Sequence, residues 1–145
     1  MIGVVLVAHG GLGKALIEAA AWITGEPLEG VLSVPVNNDE TPEDQARKIT
    51  EAVRRFDGGA VILTDLFGGT PQNLALTLLA EGRVDVVSGV NLPMLMGIAS
   101  ARERSADVHE MAIFLHRRAQ SAMVVAGDTL RRHAEASKEL PAVAT

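Results

Sequence analysis

The sequence predicts an α/β protein built on a doubly wound, mainly parallel sheet. Apolar runs of strand length alternate four times with stretches in which apolar residues recur every three or four positions, the spacing of one helical face. Apolar residues make up 48% of the chain and aromatic ones only 3%, which is typical of aliphatic strands buried under helices on both faces. Two of the runs end on side chains that carry chemistry, His9 and Asp65.

The first strand is predicted over residues 2–8 (IGVVLVA), directly before His9 and Gly10. A helix follows it and ends at the Gly-Glu-Pro stop signal of residues 25–27. The three- and four-residue spacing predicts that the buried face of this helix comprises Leu12, Leu16, Ala19, Ala20 and Ile23.

The second strand is predicted over residues 31–36. Pro35 lies within it and favours an edge position, because proline cannot donate to a strand ladder. Next, Thr41 stands before a proline and two acids, a pattern that predicts the capped start of a second helix.

The third strand covers residues 59–64 and ends on Asp65, after which Thr70 and a following proline predict another helix start. A fourth strand is predicted over residues 84–88. Helical stretches follow, and residues 121–126 fit a short fifth strand nearly as well as a continued helix.

One domain is expected over residues 1–130, because 145 residues suffice for one core and are too few for two ordinary domains. From residue 131 the chain becomes polar and alanine-rich, so residues 131–145 are expected to be a frayed tail.

The composition argues against several classes of function. A net charge of -5 disfavours a nucleic-acid groove or an anionic membrane surface as the partner, since both need clustered Lys and Arg. The chain contains no cysteine, which excludes disulfides and thiol catalysis. Its amino-terminal apolar run is far shorter than the roughly 20 residues that span a bilayer. We therefore expect a cytoplasmic protein without direct membrane insertion.

A strand order of 2-1-3-4 would place His9 and Asp65 at adjacent strand ends. Strands 1 and 3 then flank the point where the connections leave on opposite faces, and a crevice opens at their carboxyl ends. A carboxylate that accepts the Nδ1 proton of an imidazole leaves Nε2 with a free lone pair directed outward. The spacing thus predicts an oriented histidine nucleophile or base.

A phosphoryl group fits this crevice better than an acyl substrate or a metal ion does. Gly68, Gly69 and Thr70 present backbone N–H groups at a predicted helix start, where an anion is favoured. The chain lacks nucleotide-binding glycine motifs, so a phosphoryl group would come from another protein. The remaining histidines lack a matching ligand set, so neither a metal nor a cofactor is expected: these are His109, His116 and His133.

The residues alone leave a structural interpretation open. His9 could be a hydrogen-bonded structural residue, Asp65 could cap its loop, and Gly68 and Gly69 could form a tight turn. The spacing alone does not distinguish a phosphoryl-transfer site from this structural interpretation.

Three segments resemble the mannose-family IIA component of the bacterial phosphoenolpyruvate-dependent sugar phosphotransferase system. They are residues 7–10 (VAHG), 64–73 (TDLFGGTPQN) and 88–95 (SGVNLPML). The resemblance covers residues 1 to about 126 and implies a cytoplasmic phosphohistidine relay protein. HPr would phosphorylate Nε2 of His9, and the group would pass to a separate IIB protein and on to a sugar through a IIC/IID permease.

The resemblance also implies roles for further residues. Asp65 would hold Nδ1 of His9, and Gly68, Gly69 and Thr70 would stabilise the phosphoryl oxygens. A homodimer is implied in which residues 121–126 form an antiparallel strand exchanged with the partner. Exposed apolar residues would exclude water when a partner docks, and the candidates are Phe67, Leu92, Pro93 and Met94.

Three alternatives remain. A solitary regulatory IIA would use His9 in the same way, but its phosphorylation state would control a binding partner without sugar transport. A phosphoryl-transfer domain of dihydroxyacetone kinases is expected to share the fold, although the FGGTP turn at residues 67–71 favours the mannose type. A flavodoxin-like small-molecule binder is the alternative without a relay.

Overall fold

Four parallel strands form one sheet with helices on both faces. The computed structural model describes residues 1–66, 73, 76, 78, 79 and 82–139. The strands are β1 (Gly3–His9), β2 (Val31–Val36), β3 (Ala60–Thr64) and β4 (Val84–Ser88). The helices are α1 (Leu12–Thr24), α2 (Pro42–Arg54), α3 (Leu92–Met96), α4 (Ile98–Arg104), α5 (Val108–Ala122) and α6 (Ala126–Glu139).

The sheet has the order β2-β1-β3-β4, which confirms the predicted doubly wound topology. In the register, Val7 of β1 pairs with Thr64 of β3, and His9 pairs with Val36 of β2. The carboxyl ends of β1 and β3 therefore lie side by side at the point where the chain changes direction across the sheet. Pro35 lies on the edge strand β2, as its missing N–H predicted.

Alternate residues of the central strands feed two cores, one on each face of the sheet. Val4 and Leu6 of β1 point into a core that also contains buried residues of α1, α3, α4 and α5. Val5 and Val7 point into the other core, where Ile49 of α2 is fully buried. Full burial of each such aliphatic side chain contributes about 1.5–3 kcal/mol to the free energy of unfolding. These cores hold the central strand ends in place.

Two glycines let the chain turn directly from β1 into α1. Gly10 has a φ of +56°, a left-handed conformation that other residues adopt only at a cost, and its N–H donates to Val36 O at 3.1 Å. A Cβ on Gly13 would lie 2.6 Å from Ser33 Oγ, so a larger residue there would force the Ser33 side chain to move, and glycine lets the first turn of α1 approach the sheet this closely. His9 therefore stands at a sharp strand-to-helix turn.

The predicted start of α2 is confirmed. Thr41 Oγ1 accepts a hydrogen bond from the Asp44 N–H at 3.1 Å. Pro42, Glu43 and Asp44 form the first turn of the helix.

The buried face of α1 differs from the prediction. Gly13 and Ala20 are its buried residues, whereas Leu12 is 44% exposed and Ile23 is 46% exposed. The prediction was wrong for these two because α1 is apolar over most of its circumference, so the spacing alone did not fix the helix rotation.

The predicted fifth strand is absent from the single chain. Ser121 and Ala122 end α5, residues 123–125 connect the helices, and Ala126 begins α6. A strand requires a neighbour to complete its hydrogen bonds, and this segment pairs with none within the described residues. Residues 131–139, expected to be frayed, continue α6 instead, in a helix without a buried residue. Good helix formers such as alanine and glutamate explain that conformation.

Across the part of the chain that the structure describes, no helix is both long and apolar enough to cross a bilayer.

Candidate active site

The structure brings His9 and Asp65 into direct contact at the carboxyl ends of β1 and β3. Nδ1 of His9 lies 2.8 Å from Oδ2 of Asp65, and the backbone N–H of His9 donates to the same oxygen at 3.0 Å. The other oxygen, Oδ1, accepts the backbone N–H of Leu66 at 3.0 Å. The carboxylate is thus fixed on both sides, and it fixes the imidazole in turn.

These contacts also determine the protonation pattern. Burial acts to raise the pKa of Asp65, but the hydrogen bonds from the His9 backbone and ring outweigh it and hold this pKa below its ordinary value. Asp65 is therefore ionised at neutral pH and can only accept hydrogen bonds. The proton between the two side chains then belongs to Nδ1 of His9, and in the neutral ring Nε2 carries the free lone pair.

The histidine is accessible, whereas its carboxylate partner is sheltered. The His9 side chain is 46% exposed and that of Asp65 is 11% exposed. A Cβ on Gly10 or Gly11 would meet no atom of the described residues within 4 Å, so the turn after His9 is open on its outer side. A reaction partner can approach Nε2 without rearrangement of this turn.

The segment after β4 supports the site through the backbone. The N–H groups of Gly89 and Val90 donate to Thr64 O at 2.9 and 3.0 Å, which ties this loop to the residue before Asp65. Asn91 caps α3 by accepting the Met94 N–H at 3.1 Å, and its amide donates to Ala119 O at 3.4 Å. Asn91 lies in the third segment of the family resemblance, but its capping role was not predicted. A capping asparagine before a Leu-Pro pair was the available signal.

The predicted docking residues are only partly placed on the surface. Leu92 and Pro93 are half-buried, and Leu92 packs against the core. Met94 is 1% exposed and belongs to the core, so its prediction as a docking residue was wrong. The helical turn at Asn91 points Met94 inward, which its sequence position beside a loop could not reveal. Four predicted site residues lie outside the described part of the chain: Phe67, Gly68, Gly69 and Thr70.

Two leucines that flank the His9–Asp65 dyad lie on the surface, which the sequence did not predict. Leu66 directly follows Asp65 and is 61% exposed, and Leu12 begins α1 three residues after His9 and is 44% exposed. They give the rim of the site an apolar character.

A second histidine–aspartate pair lies elsewhere. Nδ1 of His109 on α5 is 2.6 Å from Oδ2 of Asp85 on β4, and this hydrogen bond raises the pKa of His109 above its ordinary value. The pair joins α5 to the edge strand and does not touch His9. Among the residues that the structure describes, no group of three or more His, Asp or Glu could hold a metal ion.

Comparison with known proteins identifies the family. The model of the family described as "PTS system fructose IIA component", EIIA-man, matches residues 3–114. The chain belongs to the mannose-type IIA family of the phosphotransferase system. As a IIA component it is a phosphotransferase protein with a general role in phosphoryl transfer.

Individual relatives agree with this membership. The chain is 36% identical over 109 residues to the fructose-specific EIIA component of Bacillus subtilis (strain 168), an overlap of 73% of this chain and 74% of that one. It is 36% identical over 104 residues to the sorbose-specific EIIA component of Lacticaseibacillus casei, covering 66% and 70% of the two chains. The crystal structure of an EIIA component from Streptococcus agalactiae superposes with a TM-score of 0.80 at 27% identity, covering 88% of this chain and 99% of that one.

Proposed function

We propose that His9 accepts a phosphoryl group from HPr on Nε2 and passes it to a separate IIB protein during sugar uptake. The observation that carries this proposal is the pairing of Nδ1 with Asp65, which leaves Nε2 as the nucleophilic nitrogen of an accessible ring. Membership of the IIA family supports a protein partner on each side of the relay.

The transfer step forms one P–N bond as another breaks, and it needs no cofactor. The lone pair on Nε2 of His9 attacks phosphorus in line with the bond to the donor histidine. As the Nε2–P bond forms, the P–N bond to the donor breaks and its electron pair returns to the donor nitrogen. The His9 ring gains positive charge while Nδ1 keeps its proton, and the Asp65 carboxylate at 2.8 Å offsets that charge. Passage to the IIB protein is the same step in reverse with a different partner.

The transferring group also needs its oxygens stabilised. We assign that role to the backbone N–H groups of Gly68 and Gly69 and to the Thr70 hydroxyl, which follow Asp65 in the sequence. Positioning and charge neutralisation are the main demands of phosphoryl transfer, so a few hydrogen-bond donors close to His9 would be sufficient.

Apolar residues around His9 would keep water out while a partner is docked. We propose Phe67, Leu92 and Pro93 for this role, together with the exposed Leu12 and Leu66 that flank the dyad. Met94 is excluded because it is buried.

We also propose a homodimer. The outer edge of β4 has no strand neighbour among the described residues, and the connecting residues Met123, Val124 and Val125 are each about 70% exposed. Pairing of this apolar connector with the β4 edge of a second copy would give that edge a strand neighbour and would bury the exposed connector. The exchanged strand is then shorter than the predicted 121–126.

The experiment is phosphorylation by phosphoenolpyruvate, Enzyme I and HPr, with the labelled residue mapped by mass spectrometry. Wild type should carry one acid-labile phosphoryl group on His9, and His9→Ala should carry none while its circular dichroism spectrum stays unchanged. His109→Ala is the matched control and should be labelled like wild type. Label on another histidine in His9→Ala would contradict the assignment.

Transfer onward separates uptake from regulation. Added IIB protein should remove the label from His9, which is the result expected for a transport relay. Label that stays on His9 in the presence of IIB would instead favour the solitary regulatory function.

A further inference from the structure

A cavity outside the reaction centre opens between the end of α4 and one face of α5. Its volume is about 780 Å³, within the range of roughly 300–1,000 Å³ that is typical of small-molecule sites. Neither His9 nor Asp65 lines it, so the proposed relay makes no use of it. We call it the α5 cavity, and the lining residues that matter for its chemistry are Arg104, Glu110, Ile113, Phe114, Arg117 and Arg118.

The α5 cavity carries an excess of positive charge on a chain whose net charge is -5. Arg104, Arg117 and Arg118 line it, against one acidic residue, Glu110, among the described residues that do so. Glu110 is already engaged, because its Oε2 accepts the backbone N–H of Ala106 at 2.8 Å. Within the described part of the chain, the side chains of Arg104 and Arg117 make no hydrogen bond or ion pair. Such a local concentration of unpaired cations attracts anions.

The third arginine of the cavity is held in place by the backbone. Nε of Arg118 donates to Pro93 O at 2.9 Å, and its side chain lies against Gly97, where a Cβ would come within 2.2 Å of Arg118 Cδ. The bond to Pro93 occupies one of the five guanidinium N–H donors. The two terminal nitrogens can therefore pair with two oxygens of one phosphate or carboxylate group. A group that is fixed in advance loses less side-chain entropy when a ligand binds.

An apolar surface adjoins the arginines within the same cavity. Ile113 is 38% exposed and Phe114 is half-buried, and they precede Arg117 and Arg118 by four residues each. Residues four apart lie on one face of a helix, so each apolar side chain lies beside an arginine. Phe114 also packs against the core, which fixes the inner side of its ring. A ligand with an anionic group and an apolar body would contact both parts of the cavity.

We propose that the α5 cavity binds a small organic phosphate, namely a phosphate monoester with an apolar or aromatic body. A phosphate monoester carries close to two negative charges and three terminal oxygens, which suits a site lined by three guanidinium groups. A carboxylate offers one charge and two oxygens, so it would leave part of the positive charge unpaired. The binding is noncovalent, and the ligand is not the phosphoryl donor of the relay. This site therefore goes beyond the proposed function and does not depend on it.

The test is isothermal titration calorimetry of the full chain at low ionic strength, with phenyl phosphate as the probe. We expect a dissociation constant of about 1 mM, and values at least about fivefold higher for inorganic phosphate, which lacks the ring, and for benzoate, which lacks the phosphate. Arg104→Gln and Arg117→Gln should each weaken the binding of phenyl phosphate about tenfold, because each removes a charge-assisted pair. Arg54→Gln is the matched control, since Arg54 is exposed on α2, which packs on the other face of the sheet. It should leave the dissociation constant unchanged, and all three variants should keep the circular dichroism spectrum of wild type.

Nuclear magnetic resonance of the ¹⁵N-labelled chain would locate the bound probe. The amide signals of Ser105 and Ser121, which line the α5 cavity, should shift on addition of phenyl phosphate, while those of Gly10 and Gly11 beside His9 should not. Shifts confined to Gly10 and Gly11 would show that the probe binds at the reaction centre and would overturn the proposal. Equal affinity of wild type and both cavity variants, or no binding at about 10 mM phenyl phosphate, would overturn it as well. Benzoate that binds as tightly as phenyl phosphate would contradict the assignment of a phosphate ligand.

Discussion

At the scale of single residues, the arrangement of His9 depends on one carboxylate that makes three hydrogen bonds. Asp65 accepts from the His9 backbone, the His9 ring and the Leu66 backbone, so neither side chain can turn freely. Both residues were predicted because parallel strands end at the same edge of a sheet, which turns two distant sequence positions into neighbours. The placement of Met94 was not predictable in this way, because the rotation of a short helix depends on packing that the sequence does not display.

Asp65→Asn should slow phosphorylation of His9 by about 10²-fold or more. The amide is nearly isosteric with the carboxylate, but it carries no charge to offset the ring and can favour the wrong tautomer. Stopped-flow or quench kinetics with phosphorylated HPr would measure this change, with Asp85→Asn as the control for a histidine pair away from the site. A rate within threefold of wild type would remove Asp65 from the mechanism.

The same carboxylate should make stability depend on pH. The pKa of Asp65 is lowered in the folded chain, so its stabilising contribution is fully present above the ordinary aspartate pKa and is lost as pH falls through the lower folded value. The free energy of unfolding of wild type should therefore fall more steeply between about pH 5 and pH 2 than that of Asp65→Asn. Urea titrations at several pH values would show this, and parallel curves for the two proteins would refute it.

At the scale of elements, the turn from β1 into α1 determines where His9 stands. Gly10 supplies a left-handed backbone and Gly13 permits close approach of the helix to Ser33. The sequence predicted the strand, the helix and the turn, and it predicted the capped start of α2. It misplaced the faces of α1, because a helix that is apolar nearly all round gives no contrast from which to assign an inner side.

Gly10→Ala should lower the free energy of unfolding by about 1–2 kcal/mol, because alanine at a φ of +56° is strained. Gly127→Ala is the control: Gly127 lies in α6, has no positive φ, and its added Cβ would meet Arg131 at an ordinary 3.5 Å. It should not lower stability, since alanine favours a helix over glycine. Chemical denaturation measures both. Equal effects would contradict the account of the turn.

At the scale of the whole molecule, alternation of strands and helices predicted a doubly wound parallel sheet, and the order β2-β1-β3-β4 that the structure shows is the one that puts Pro35 on an edge strand. The carboxyl-terminal segment was harder, because its alanine-rich composition suits a helix while its connector of Met123 and two valines suits a strand. The described residues of a single chain offer that connector no strand neighbour. In the proposed dimer its conformation would depend on a second copy, which no local pattern in the sequence reports.

The proposed dimer gives a prediction at this scale. Wild type should sediment as a dimer, and Val124→Pro should shift it toward monomer, because proline removes one donor from the exchanged ladder. Thr129→Ala, a substitution in α6 beyond the connector, should leave the dimer intact. A wild-type protein that sediments as a monomer at micromolar concentration would contradict the homodimer.

The most direct measurement is nuclear magnetic resonance of the His9 ring labelled with ¹⁵N, before and after phosphorylation by HPr. We predict that Nδ1 carries the proton in the neutral unphosphorylated ring and that phosphorus is coupled to Nε2 in the product. Phosphorus on Nδ1, or a neutral ring protonated on Nε2, would contradict the account that Asp65 orients His9 for transfer.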